Sequence, residues 1–228
     1  FRSLIYSIYR QRGKQPQLEE SWLRIRQAVQ SYKINYLFGA SRSIAVNWGL
    51  ESWKWMISVR TFYHIKFIQA YKAVLSGVSF SVTMPNRIGE YLGRIVYLPE
   101  ANRLKTISVT LVGSFSQLLI TVFAGTVGFI FLKPSLIVQF PQLKIWYQFI
   151  LYGLVLVLAI MALVYFNVAG TVNLFNRWIK SKRYAYLVEA LQEFHNKLLL
   201  RLLMLSLLRY VIFIIQYVLV FYLFEVNV

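Results

Sequence analysis

The run from Leu143 to Phe166 carries one charged residue, Lys144, in an otherwise apolar and aromatic stretch. As a helix rising 1.5 Å per residue, such a run is long enough to cross the hydrocarbon core of a bilayer, about 30 Å thick. Water is absent there, so every backbone amide must be satisfied within the segment, and helix is the form that does this. Residues 34–57, 67–84, 104–132 and 198–224 read the same way, with more polar interruptions. Together they predict an all-α, polytopic transmembrane bundle. Composition agrees: the chain is 58% hydrophobic and only 14% charged, against about 25% charged in soluble domains. Residues 1–228 read as a single transmembrane domain. Both ends fall beside helix-like segments, which suggests a piece of a longer membrane protein.

Charge is lopsided, with 25 Lys and Arg against 8 acids, all of them Glu, and a net charge of +17. In a soluble protein that excess would suggest nucleic acid. Here the basic residues gather between apolar runs, which is the signature of cytoplasmic loops beside anionic lipid and argues against nucleic acid as a partner. Residues 10–33 read as a basic amphipathic helix at the membrane surface, with Trp22, Ile25 and Val29 at helical spacing. The stretch 170–201 holds Arg177, Lys180, Lys182, Arg183, Lys197 and Arg201 and is expected inside, while the loop 133–144 is expected outside. That topology leaves Arg60, His64 and Lys66 outside, against the charge bias. Trp146 and Tyr147 are expected as interface anchors of the fourth span. Cysteine is absent, which excludes disulfides and thiolate metal sites. His64 and His195 are far apart and lack metal-ligand spacing, so neither a metal nor another cofactor is expected.

Three constellations place ionisable side chains where they are costly, which makes each a functional hypothesis. The first is Pro85-Asn86-Arg87-Ile88-Gly89-Glu90-Tyr91-Leu92-Gly93-Arg94. Proline stops one helix and starts another, so residues 85–98 are expected as a broken, re-entrant or interfacial helix. Its exposed amides suit an anion such as phosphate, and Arg87 and Arg94 can supply forked donors to it. Arg87, Glu90 and Arg94 share one helical face, and Gly89 with Gly93 permits close approach of another backbone or a headgroup. The second is Asn47, Glu51 and Lys54, a polar stripe at i, i+4 and i+7. Glu51 and Lys54 can neutralise each other inside the membrane. The third is Arg209, well inside the last run, which requires a carboxylate, carbonyl or lipid phosphate; Glu51 and Glu90 are the carboxylates in view. Ser114, Ser116 and Gln117 can either complete a polar cavity or bond neighbouring helices.

These same segments carry a resemblance. Asn47-Trp48-Gly49-Leu50-Glu51, Lys72-Ala73-Val74-Leu75-Ser76-Gly77, the Pro85 to Arg94 stretch, Val112-Gly113-Ser114-Phe115-Ser116-Gln117 and Ser206-Leu207-Leu208-Arg209-Tyr210 are similar to the lysylphosphatidylglycerol synthase/flippase transmembrane family. The resemblance implies a multi-pass protein of the bacterial inner membrane that binds lipid or moves it between leaflets. It implies an anionic or aminoacylated phospholipid as partner, and it leaves the oligomeric state open. Nothing in the chain resembles the soluble aminoacyl-transferase domain of some relatives, so lipid synthesis is not expected.

The expected site is a wet groove lined by Arg87, Glu90, Arg94, Glu51 and Arg209, with no catalytic residues. Two other classes compete. A non-transporting scaffold would use the same pairs for assembly alone. A membrane-embedded enzyme acting on a lipid-linked substrate would need a base or metal cluster; the chain has no Asp, and neither His stands near a Glu in sequence within the apolar runs.

Overall fold

A computed structural model describes residues 34–84, 88–168, 170–171 and 194–224. Seven α-helices and one short 3-10 turn form there, with no strand among the described residues. They are α1 (Ile34–Val59), α2 (Phe67–Thr83), α3 (Ile88–Ile95), α4 (Arg103–Phe131), α5 (Lys133–Gln139), α6 (Leu143–Phe166) and α7 (Asn196–Phe224), with the turn at Glu100–Asn102 leading into α4. The amphipathic helix expected over 10–33 lies outside the described residues, as does most of the basic stretch 170–201, up to residue 193.

Among the described residues, three helices are long and apolar enough to cross a membrane: α4 from Lys105 to Phe131, α6 from Lys144 to Phe166, and all of α7. Helix α1 has the length but carries Arg42, Glu51 and Lys54. Helix α2 has 17 residues, about 26 Å at 1.5 Å per residue, slightly short of a full crossing. Helix α3, at 8 residues, is far too short to span. It follows α2 in the chain, the two being separate helices on either side of residues 85–87.

Contacts group the chain into two compact units, one formed by residues up to Val46 with those from Ile212 onward, the other by Asn47–Val211. In the first, Tyr36 stacks on Tyr222 at 5.9 Å between ring centroids. Leu219 lies against Gly39 so closely that a β-carbon there would meet its side chain at 3.2 Å.

The second unit has its own apolar core, drawn from Trp55 and Val59 of α1, Ala70, Ala73 and Val74 of α2, Val109, Val112 and Leu119 of α4, Tyr165 of α6, and Leu198, Leu199 and Leu202 of α7. Tyr165 is fully buried and its hydroxyl donates to the Leu199 carbonyl at 2.9 Å. The turn after α1 is closed by Arg60, whose Nε and Nη2 donate to the Ile65 carbonyl. That bond gives a local reason for a basic residue at this turn.

Helices α2 and α3 meet backbone to backbone. A β-carbon on Gly77 would lie 2.8 Å from the Glu90 carbonyl oxygen, one on Gly93 would collide with the backbone of Ser76 and Gly77, and one on Gly89 with that of Phe80. Only glycine permits such an approach. The contact holds α3 rigidly against α2 and thereby places Glu90 and Arg94.

Tyr147 departs from its expected role. It is buried, stacks on Phe129 at 4.6 Å, donates its hydroxyl to the Phe129 carbonyl, and lies under the Lys133 ammonium at 5.3 Å. Trp146 alone of the pair faces outward, at 62% exposure. Adjacent helical residues point about 100° apart, so both cannot occupy one face.

Candidate functional site

The polar stripe on α1 faces the interior of the second unit. Asn47, Glu51, Ser52, Lys54 and Ser58 are all buried, while Trp53 on the other side is half exposed. Trp55 is also buried and donates its indole N–H to Thr110 of α4 at 3.3 Å. It is a core residue rather than part of an interfacial belt.

Glu51 is the hub. Its Oε1 accepts from Arg94 Nη2 of α3 at 2.9 Å, and its Oε2 pairs with Lys54 Nζ at 3.1 Å and with Arg209 Nη1 of α7. One carboxylate thus draws cations from its own helix, from α3 and from α7. A lone ionised carboxylate at this depth would cost several kcal/mol of desolvation, which paired and hydrogen-bonded cations offset.

Lys54 is fully satisfied. An ammonium has three donors, and Nζ finds Glu51, the Gly113 carbonyl at 3.1 Å and Ser206 Oγ at 3.3 Å. Its stem passes Gly113, where a β-carbon would just touch Cε at 3.7 Å. Ser116 completes the chain: its hydroxyl lies 2.8 Å from Ser206 Oγ and 2.7 Å from the Gly113 carbonyl. Helices α1, α4 and α7 are therefore joined through one buried ammonium.

The two arginines differ from this. Arg209 Nε donates to Asn47 Oδ1 at 2.9 Å. Arg94 places one nitrogen, Nη2, between two carboxylates, Glu51 and Glu90. Its Nε–H is buried without a partner, as is the Asn47 Nδ2 amide. Among the described residues, Lys54, Arg94 and Arg209 outnumber Glu51 and Glu90, which gives the cluster one more cation than carboxylate. Burial is uneven across the cluster: side-chain exposure is 3% for Arg94, 11% for Glu51, 15% for Arg209 and 23% for Glu90. Excess positive charge with unused N–H donors is a setting for an anion.

Of the residues singled out in the sequence, the structure brings together Asn47, Glu51, Lys54, Glu90, Arg94 and Arg209. Gly89 serves the α2–α3 contact. Gln117 shares no bond with the cluster among the described contacts, and its Oε1 is buried without a partner. Pro85, Asn86 and Arg87 lie outside the described residues. Ser206 and the Gly113 carbonyl, which hold Lys54, were not expected in that role. The available signal was Ser206 standing three residues before Arg209, on the same face of α7. Among the described residues, no three His, Cys, Asp or Glu side chains gather in a way that could hold a metal ion.

A helical fold with several apolar helices and a buried charge cluster defines a polytopic membrane protein. Its sequence places it further: residues 19–227 match the model of the family described as lysylphosphatidylglycerol synthase TM region, and the chain belongs to that family. No curated protein and no solved structure gives a match.

Proposed function

We propose that the cluster around Glu51 binds the phosphate of a membrane phospholipid and that the protein moves such lipids between leaflets. The observation that carries this reading is the gathering of Lys54, Arg94 and Arg209 about two carboxylates, with buried N–H groups on Arg94 and Asn47 left without acceptors among the described residues. Acyl chains would remain in the bilayer while the headgroup enters beside Glu90, the most exposed member of the cluster. Family membership supports a lipid-related role, in a protein of the bacterial inner membrane. The substrate class is an anionic or aminoacylated phospholipid, and the role is transport or binding rather than catalysis.

One observation favours a second reading. The closed bonding of Lys54 to three acceptors is what a scaffold clamped by a buried charge would also need. Reconstitution separates the two. Full-length protein in liposomes containing a fluorescent phosphatidylglycerol should accelerate its appearance in the opposite leaflet. Arg94→Lys, which keeps the charge and loses the fork, should slow that appearance about tenfold, equivalent to about 1.4 kcal/mol. No acceleration by the folded wild-type protein would leave the scaffold, and unchanged translocation by a folded Arg94→Lys would take Arg94 out of the headgroup site.

A further inference from the structure

The two carboxylates on Arg94 are not equivalent. Glu51 is held by three cations and is 11% exposed, whereas Glu90 has Arg94 as its cationic partner among the described residues and is 23% exposed. Glu90 sits one turn before Arg94 on α3, so it reaches the guanidinium locally. Both carboxylates bond to the same Nη2, while the neighbouring Nε–H has no partner. The Nε/Nη2 edge of a guanidinium is the one that matches two oxygens of a phosphate or carboxylate. Here that edge is half used, and of the two carboxylates on it Glu90 is the more exposed and Glu51 the one held by further cations.

Charge points the same way. With Glu90 in place the cluster carries one excess positive charge; with Glu90 turned away, Lys54, Arg94 and Arg209 face Glu51 alone and the excess becomes two. A lipid phosphodiester brings one negative charge and two free oxygens. It would restore the first balance while using both N–H groups of the fork.

We propose that Glu90 is a displaceable internal anion, which holds Arg94 in the unliganded protein and competes with the phosphodiester of an incoming anionic lipid for the same guanidinium edge. This rests on the headgroup-binding reading above and adds to it that Glu90 sets how tightly the phosphate is taken. Glu51 cannot serve in this way, because its departure would take the shared carboxylate from three cations at once.

The test is native mass spectrometry of the full-length protein titrated with phosphatidylglycerol, with a galactosyl diacylglycerol of the same chains as a phosphate-free control. Glu90→Gln removes the competing charge and should retain phosphatidylglycerol about fivefold more tightly, the worth of a partly exposed ion pair. Glu90→Asp, whose carboxylate falls a methylene short, should gain less. Retention of the galactolipid should not change. Unaltered or weaker phosphatidylglycerol retention in Glu90→Gln, with Arg94→Lys still weakening it, would overturn the competition and leave the headgroup site standing. An equal gain for the galactolipid would also overturn it, since no phosphate is then involved. If Arg94→Lys retained phosphatidylglycerol as well as wild type, the headgroup site itself would fall, and the competition with it. Failure of both Glu90 variants to fold would refute displaceability, because a carboxylate the fold depends on cannot leave.

Discussion

Helix α1 and helix α6 invert each other. In its second half α1 hides Asn47, Glu51, Lys54 and Ser58 and turns Trp53 outward, whereas α6 exposes Ile145, Phe149, Leu156 and Leu163 at 62–74% and buries little beyond Tyr147 and Tyr165. Only 6% of the most apolar stretch of α6 is buried within the protein. In water the arrangement would be absurd on both counts. In lipid it is the expected one, since apolar side chains lose nothing by facing acyl chains and charged ones must find partners inside. The comparison shows where this protein spends its specificity: α6 needs to be apolar and helical, while α1 needs particular residues at particular partners.

That contrast can be broken experimentally, most forcefully at its hub. Glu51→Gln leaves Lys54, Arg94 and Arg209 facing a neutral amide and should destabilise the protein by about 3–5 kcal/mol, the cost of stranding buried charge. Thermal unfolding in detergent reads it, and Lys54→Met on top of Glu51→Gln should recover part of the loss. Additive losses from the two substitutions would mean that the pair is not coupled. Next in size is Gly93→Ala, whose new methyl meets the backbone of α2 and should cost about 1–3 kcal/mol while shifting Arg94. A stability unchanged from wild type would show that α2 and α3 are looser than their contact implies. The smallest effect belongs to α6: Leu156→Ala should fall within about 0.5 kcal/mol, as substitutions away from packed features do. A loss as large as that of a core leucine would mean that this face is covered, and would undo the comparison.

Much of this was readable before any coordinates. The long helices α4, α6 and α7 follow from apolar runs, and α1 ends two residues beyond its expected limit. The spacing of Asn47, Glu51 and Lys54 placed them on one face because helical geometry alone does so. Arg209 was expected to need a carboxylate, a carbonyl or a lipid phosphate at that depth, and Glu51, one of the two carboxylates in view, is a partner it meets. Local patterns failed where neighbours decide. Tyr147 reads as an anchor beside Trp146 until Phe129 is found stacked on it. Ser116 and Ser206, 90 residues apart in sequence, have no pattern that announces their meeting.

The sequence by itself determined that this chain is helical and belongs in a membrane, because the bilayer leaves an apolar run of that length no other way to satisfy its amides. It also determined that the few charges inside those runs need partners. Tertiary structure alone decided which ones: that Glu51 takes three cations, that Lys54 ends on Gly113 and Ser206, and that Glu51 and Glu90 share one nitrogen of Arg94. The reason is physical. Helix formation and lipid burial act residue by residue along the chain, whereas a salt bridge depends on a few ångströms between segments that glycine contacts and core packing alone bring together.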